Sequence, residues 1–374
     1  MGNKKCRIYA ACGVSQTPIN IYISEETIMH VESKYNCFFI YNIYYDKLRS
    51  IPTKYILDSN IIADLEYFYY KPENNNDTKK QNISELVNFL RGKSIDYTYA
   101  LTELCLNYEK GGVNEEKYKS TKQAVSKIIK MSPSKQRGHA NYGKNKDTIP
   151  FYGKQLSFGL PSEVIPKTLP VLAYSYVPLL KLFYEIKTNS HNKLQIMKNF
   201  IDYLDNEINA LPLYEVCFAT YLFFTNDNEF NNVQSLLKVN NKMDVIKKIW
   251  NVSWDITFLR YINSLAARIV SGEDISPKAN FVLITQDKAL GQISSLLQTD
   301  SENKFGNKAV SNITIDIQKI KSQYRTSYQE IYNYAMNSEA FARRKSLLAT
   351  SDPNEQINIM LNKADNLQAL LIQS

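Results

Sequence analysis

Two short apolar runs, each stopping at an aspartate, constrain this chain more than any other feature. Tyr55-Ile56-Leu57 runs into Asp58-Ser59-Asn60, and Phe281-Val282-Leu283-Ile284-Thr285-Gln286 runs into Asp287. A short apolar run bounded by polar turn signals reads as a buried strand of a parallel sheet. A helix-like pattern follows each of them. In open α/β sheets ligands bind outside the carboxyl ends of the strands. Two aspartates distant in sequence are therefore expected side by side at one sheet edge, a geometry for holding a divalent cation.

Composition narrows the class of chain that carries these runs. Its 374 residues suffice for two or three domains, and 44% hydrophobic with 22% charged residues is ordinary for a folded soluble protein. A net charge of +8 leans towards nucleic acid or another polyanion. The five cysteines, Cys6, Cys12, Cys37, Cys105 and Cys217, contain no Cys-x-x-Cys pair, which predicts a reducing compartment and no structural zinc. Only His30, His139 and His191 are available, so chemistry built on several histidines is not expected. No signal-peptide pattern follows Lys4-Lys5, and Cys6 breaks the myristoylation pattern. Leu169 to Ile186 is interrupted by Pro170, Pro178, Lys181 and Glu185, and Leu213 to Phe224 is too short to span a bilayer. Both read as buried helices, and the expectation is a cytoplasmic protein without membrane contact.

The α/β pattern falls in two blocks. Residues 1–53 read as a strand-rich extension, with runs at Arg7 to Ala11, Ile19 to Ile23 and Cys37 to Tyr45 and one helix around Glu25 to Ser33. Residues 54–109 hold the first strand, a helix through Tyr70 and helical patterns at Ser84 to Leu90 and Asp96 to Tyr108. Residues 110–249 read as a helical insertion interrupted near Met131 to Leu160. Residues 250–320 resume the α/β pattern. There a helix over Lys242 to Val270 is closed by Ser271-Gly272, and a strand at Ile313 to Ile315 completes the unit. Residues 321–374 read as a helical segment, and its last stretch, Glu355 to Ile372, is amphipathic enough to pack internally or to pair with another chain.

Taken singly, Asp58 and Asp287 read as helix caps, because aspartate is a favoured N-cap. Asp255 shares a helical face with Val252, Leu259 and Ile262, where a charge is costly unless a cation or a metal meets it. Glu103 sits in Leu101-Thr102-Glu103-Leu104, on a helix that is apolar on more than one side. In order, Ile56-Leu57-Asp58-Ser59-Asn60, Leu101-Thr102-Glu103-Leu104, Trp254-Asp255 and Leu283-Ile284-Thr285-Gln286-Asp287 resemble the four acidic motifs of PIN-like ribonucleases. The resemblance covers about 55 residues around 54–109 and about 70 around 250–320. It implies an α/β, Rossmann-like PIN core with a parallel sheet, interrupted by a large helical insertion. The N-terminal extension and that insertion depart from the compact members of the family.

The resemblance implies a hydrolase that leaves a 5′-phosphate and a 3′-hydroxyl, with Asp58, Glu103, Asp255 and Asp287 as catalytic metal ligands. An all-oxygen donor set favours Mg²⁺ or Mn²⁺. Asn60, Thr102 and Thr285 are candidates to orient the carboxylates. For substrate contact, Lys117, Lys119, Lys122, Lys127, Lys130, Lys135, Arg137, Lys144, Lys146 and Lys154 face a single acid, Asp147, and interleave with Tyr118, Tyr142, Phe151 and Tyr152. Basic side chains contact phosphates and rings stack on unpaired bases. The same segment also reads as a solvated connector or as a docking surface for an acidic partner such as an antitoxin. His139 is a lone loop histidine, and Arg343-Arg344-Lys345 reads as a solvated helix face. The resulting expectation is an endoribonuclease, a toxin or antiphage effector held in check by a regulatory protein. The alternatives are a DNA-acting, flap-type nuclease and a non-catalytic nucleic-acid-binding or assembly protein on the same scaffold. Asn60 in place of a second aspartate argues against a haloacid-dehalogenase-type phosphatase, and no Gly-x-x-x-x-Gly-Lys-Ser/Thr loop is present.

Overall fold

A computed structural model describes residues 27–106, 113–142, 165–188, 192–225 and 242–270. From 272 onwards it describes all but 273, 275, 277, 296, 306–307, 316, 336, 351–352 and 374. The expected strands at Arg7 to Ala11 and Ile19 to Ile23 lie outside these residues.

The protein is an α/β fold around a five-stranded mixed sheet. Its strands are β2 (Val31–Lys34), β3 (Cys37–Tyr41), β4 (Thr53–Leu57), β5 (Ser94–Asp96) and β6 (Asn280–Thr285), β1 being the short Thr27–Ile28. They lie in the order β2-β3-β6-β4-β5. β4 runs parallel to both β5 and β6, whereas β3 is antiparallel to β6 and to β2. All six residues of β6 are buried, as expected for a central strand whose apolar run is unbroken by polar alternation. From β4 the chain passes to β5 on one side, and from β5 it returns to β6 on the other. The crevice beyond the carboxyl ends of β4 and β6 is therefore a topological switch point, the place where open α/β sheets bind ligands.

The N-terminal strands belong to this same sheet and are not an appendage to it. Where a helix around Glu25 to Ser33 is predicted, Val31–Lys34 pairs with Cys37–Tyr41 instead. The two-residue link explains the difference. Tyr35 and Asn36 both adopt left-handed backbone, φ 55° and 56°, which matches the twist of a tight hairpin. Asparagine tolerates that region, but for a bulky residue such as Tyr35 it costs roughly 1–3 kcal/mol.

Helix α1 (Ser59–Tyr70) follows β4, α2 (Asp77–Leu90) precedes β5, and α3 (Thr98–Cys105) follows it. Phe89 of α2 packs edge-on against Phe39 and Tyr55, with ring centroids 5.3 and 5.2 Å away. The strand β5 is not expected from sequence, since Ser94-Ile95-Asp96 is too short to show alternation, and only its last residue, Asp96, falls in the predicted helix. Residues of the expected insertion spread over the core. Helix α4 (Glu115–Lys130) lies against α1 and α3, α5 (Pro133–Tyr142) lies against α2, and α6 (Ile165–Thr188) packs against the long helix that leads to β6. Helices α7 (Lys193–Tyr203) and α8 (Leu213–Phe224) follow, and the long helix is α9 (Lys242–Val270), with the limits its sequence pattern predicts. After β6 come α10 (Lys288–Ser294), β7 (Leu297–Phe305) and β8 (Lys308–Ile315). The strand expected at Ile313 to Ile315 is thus the end of a hairpin in a separate antiparallel sheet with β1. Its partner Thr299-Asp300-Ser301-Glu302-Asn303-Lys304 is too polar to have been read as a strand.

Helices α11 (Ser322–Ala335), α12 (Ser338–Thr350) and α13 (Pro353–Gln373) end the described chain, and α13 packs along α6. Met360, Ala364, Leu367 and Leu371 form its buried stripe. The expected solvated face at Arg343-Arg344 holds for Arg343, which is exposed, but is corrected for Arg344, which is buried. Both guanidinium groups clasp Asp205, which is 3% exposed and sits in a π-helical turn at Leu204–Ile208. A buried carboxylate needs such donors, and the helix carrying them is held in consequence. Among the described residues no helix is long and apolar enough to cross a membrane.

A second buried pair joins α8 to α9. Arg260 Nη2 donates to Glu215 Oε1 and Oε2 at 2.7 and 2.5 Å, while Nη1 donates to Ser175 Oγ at 2.7 Å. Glu215 is fully buried. Removing the guanidinium strands that carboxylate, so Arg260→Ala is expected to destabilise the chain by roughly 3–5 kcal/mol in urea unfolding. A loss below 1 kcal/mol would show that water reaches Glu215.

Candidate functional site

The site is built where β4 and β6 stop. Pairing of Leu57 with Ile284 is extended by Asp58 N donating to Ile284 O at 3.0 Å, which brings Asp58 level with the end of β6. Asp58, 1% exposed, caps α1 through Oδ1, which accepts from Ser59 N at 2.6 Å. Its Oδ2 accepts from the Thr285 hydroxyl at 2.5 Å. That hydroxyl oxygen accepts in turn from Asp287 N at 2.9 Å and from Asn60 Nδ2 at 3.2 Å. Asn60 Oδ1 then accepts from Gln286 N at 3.1 Å. One threonine hydroxyl thus fastens both aspartate motifs together. Asp287 caps α10, its Oδ1 accepting from Leu290 N at 2.8 Å. Cap and site are the same residue in both motifs.

Two further carboxylates approach from helices. Glu103 of α3 is hydrogen-bonded by the Ser59 side chain, while its buried Oε2 has no partner. Asp255 of α9 lies in the electrostatic reach of Asp58, Asp287 and Glu103 together. Burial, and then the Asp58 charge, pushes Glu103 well above the usual carboxylate range. Burial does the same to Asp255, reinforced by Asp58, Asp287 and Glu103. Asp58 is raised to about 6, chiefly by burial, against the lowering effect of its Thr285 and Ser59 bonds. The four carboxylates singled out from sequence thus lie within electrostatic influence of one another, Asp255 feeling the other three and Glu103 feeling Asp58. Among the described residues none of the four has a cation partner, and no three His, Cys, Asp or Glu side chains stand as a ready-made metal shell. At an effective dielectric near 20, two unit charges about 5 Å apart repel by roughly 3 kcal/mol, so uncompensated carboxylates hold apart or take up protons.

The other expected site residues divide. Asn60 and Thr285 touch the aspartate motifs directly. Thr102 is buried but donates to the Thr98 carbonyl at 2.9 Å within its own helix. Lys117 donates to the Leu104 carbonyl at 2.7 Å, one residue beyond Glu103. Lys127 donates to the Tyr69 hydroxyl at 3.0 Å, near the far end of α1 and about 16 Å along that helix from Asp58. Lys119, Lys122, Lys130, Lys135 and Arg137 are exposed on α4 and α5. Lys144, Lys146 and Lys154 lie outside the described residues. The basic helix thus flanks the core, with no described lysine at the carboxylates themselves. His139 is a packing residue, stacked on Tyr69 and bonded through Nε2 to the Phe68 carbonyl at 3.1 Å. Sequence reading missed Ser59 and Gln286, although each is the immediate neighbour of a named aspartate.

No protein-family model, no curated protein and no solved structure matches this chain.

Because the folded value of Asp58 lies above its ordinary 3.8, the folded chain binds protons more tightly than the unfolded one. Its stabilising contribution is complete below about pH 4 and is lost as pH rises through about 6. Glu103 and Asp255 act in the same direction. In cation-free buffer the melting temperature is expected to fall between pH 5 and 7. Asp255→Asn should flatten that fall and stabilise the chain at pH 7 by roughly 0.5–2 kcal/mol. A variant that is destabilised with an unchanged slope would show that the carboxylates do not repel one another.

Proposed function

We propose that this chain is a divalent-metal-dependent nuclease of the PIN-like type, hydrolysing phosphodiester bonds in RNA. The observation that carries this reading is the mutual electrostatic influence of Asp58, Glu103, Asp255 and Asp287 around the switch point of the sheet, with no cation among the described residues paired to any of them. A purely structural role accounts poorly for a buried Glu103 oxygen without a partner, since such an atom is costly to leave unmade. A hard cation fits it, because every donor in the cluster is an oxygen. Asp58 and Asp287 would hold Mg²⁺ or Mn²⁺ directly, with Glu103 and Asp255 completing the site directly or through water. A bound ion supplies a more acidic water and neutralises charge developing on the phosphate.

The chain's own contributions follow from its bonds. Thr285 and Ser59 lock the Asp58 carboxylate, so little orientation is left to be lost on binding. Asn60 ties the loop after β6 to α1 and keeps Asp287 at its level. Burial and repulsion favour the protonated form of Asp255, which a cation must displace. Apparent metal affinity therefore rises with pH. The exposed cations of α4 and α5 offer contacts to phosphates of the strand beyond the site.

The test is cleavage of labelled RNA and DNA with Mg²⁺ or Mn²⁺. Asp58→Asn and Asp287→Asn are expected to abolish it, and Thr285→Val to reduce it roughly 10- to 100-fold, the usual effect of removing a group that orients a metal ligand. Metal-dependent cleavage unchanged by both aspartate substitutions would remove the proposed site. Salt-sensitive binding with no cleavage would favour the non-catalytic reading, and cleavage of DNA alone would reassign the substrate.

A further inference from the structure

Beside the carboxylates, on the other side of the strand that carries Asp287, lies a groove of about 270 Å³. Its position follows from the register of the sheet. Phe38 pairs with Thr285, so Cys37, Asn36 and Tyr35 continue upward beside Gln286 and Asp287. The hairpin turn therefore stands at the same edge as the carboxylates. The first turns of α2 form the opposite wall. Between these walls Gln286 reaches across, its Nε2 donating to Asp64 Oδ2 at 2.9 Å while its backbone is held by Asn60.

The chemistry of the groove is specific. Ile83 and Leu86 give it an apolar side, and Tyr35, whose ring packs on Phe39 and Phe89 with centroids 6.3 and 5.8 Å away, lines it as well. Asn82 offers an amide able to donate and accept, and Gln286 a second whose side chain already bonds Asp64 and Cys37. Among the described lining residues the one ammonium, Lys79, is already bound to Asp64 at 2.7 Å, so they carry no net positive charge with which to hold a phosphate. The volume lies below the roughly 300 Å³ at which pockets for drug-sized ligands begin, enough for a single ring system. A flat heterocycle with donors and acceptors on its edge matches this lining. Tyr35 is held in place both by the left-handed hairpin turn, φ 55°, and by its ring contacts with Phe39 and Phe89, so its position in the lining is fixed.

We infer that this groove takes one unpaired nucleobase of the polynucleotide whose phosphate lies at the carboxylates, with Tyr35 against its face and Asn82 and Gln286 on its edge. The inference rests on the nuclease reading for the position of that phosphate. It deepens that reading, because a base inside a duplex cannot enter and the preferred substrate becomes single-stranded. The shared chemistry is the base, so RNA and DNA strands are both probes.

The experiment measures binding of short fluorescent single strands of RNA and DNA, their duplexes, and a strand with one abasic position, by anisotropy with the full chain. Binding is compared between the wild type, Asn82→Leu and Tyr35→Asn. The second substitution keeps the left-handed turn and removes the ring. Wild type is expected to prefer single strands to duplexes by at least about tenfold, base-face contacts being worth that much. Each variant should lose about tenfold on the intact strand and little more on the abasic one. Equal binding by wild type and both variants, or losses that simply add to the abasic loss, would overturn the groove assignment. Parallel cleavage assays separate the two readings. Base-dependent binding without metal-dependent cleavage leaves the groove and removes the nuclease. Cleavage of single strands unaffected by either variant leaves the nuclease and removes the groove. Failure to bind any strand removes both.

Discussion

The structure depends on the parallel register between β4 and β6, finished by the Thr285 hydroxyl on Asp58. A slip of one residue would reverse which side chains face the core and would part the two aspartates. Several independent features agree on this register. The backbone bond from Asp58 to Ile284 continues the ladder past the last strand residue, and the Asn60 bridges to Thr285 and Gln286 close it from the side. β6 itself is buried along its length, so the register also carries the hydrophobic core.

The same burial that fixes the strands makes their ends electrostatically uncomfortable. Elsewhere this chain answers a buried carboxylate with a guanidinium: Glu215 has Arg260, and Asp205 has both Arg343 and Arg344. At the switch point four carboxylates gather and no described cation answers them. The contrast within one molecule is informative, because it shows that the fold has the means to pair buried acids and does not use them here. Functional sites are where a stable fold tolerates such local conflict.

Much of this was legible in the sequence for a simple reason. A fully buried parallel strand has no polar alternation, so Phe281 to Thr285 announced itself, as did the apolar stripe that includes Asp255. What escaped reading was either short or defined by distant partners. Ser94-Ile95-Asp96 is a strand only because β4 lies beside it, and the polar β7 only because β8 does. Arg344 looked solvated like its exposed neighbour Arg343 because nothing local reveals that Asp205 waits for it. Thr102 looked like a neighbour of Glu103, yet one position along a helix is a turn of about 100°, and its hydroxyl serves its own backbone. The groove at Gln286 joins a hairpin, a helix and a strand end that no sequence window contains.

The route of the chain through the sheet sets the order in which the site comes into being. β4 and β5 are adjacent in sequence, but the strand that must lie against the other side of β4 arrives only after the long excursion through α4 to α9. Asp58 and Glu103 leave the ribosome early, whereas Asp255 and Asp287 follow much later. At translation rates of about 5–20 residues per second, roughly 180 residues separate Glu103 from Asp287 by on the order of 10–40 s. Throughout that interval the central strand slot is open and the cluster is half built. A nascent or truncated chain therefore lacks the complete acidic constellation, which exists only once synthesis has carried the polypeptide past β6.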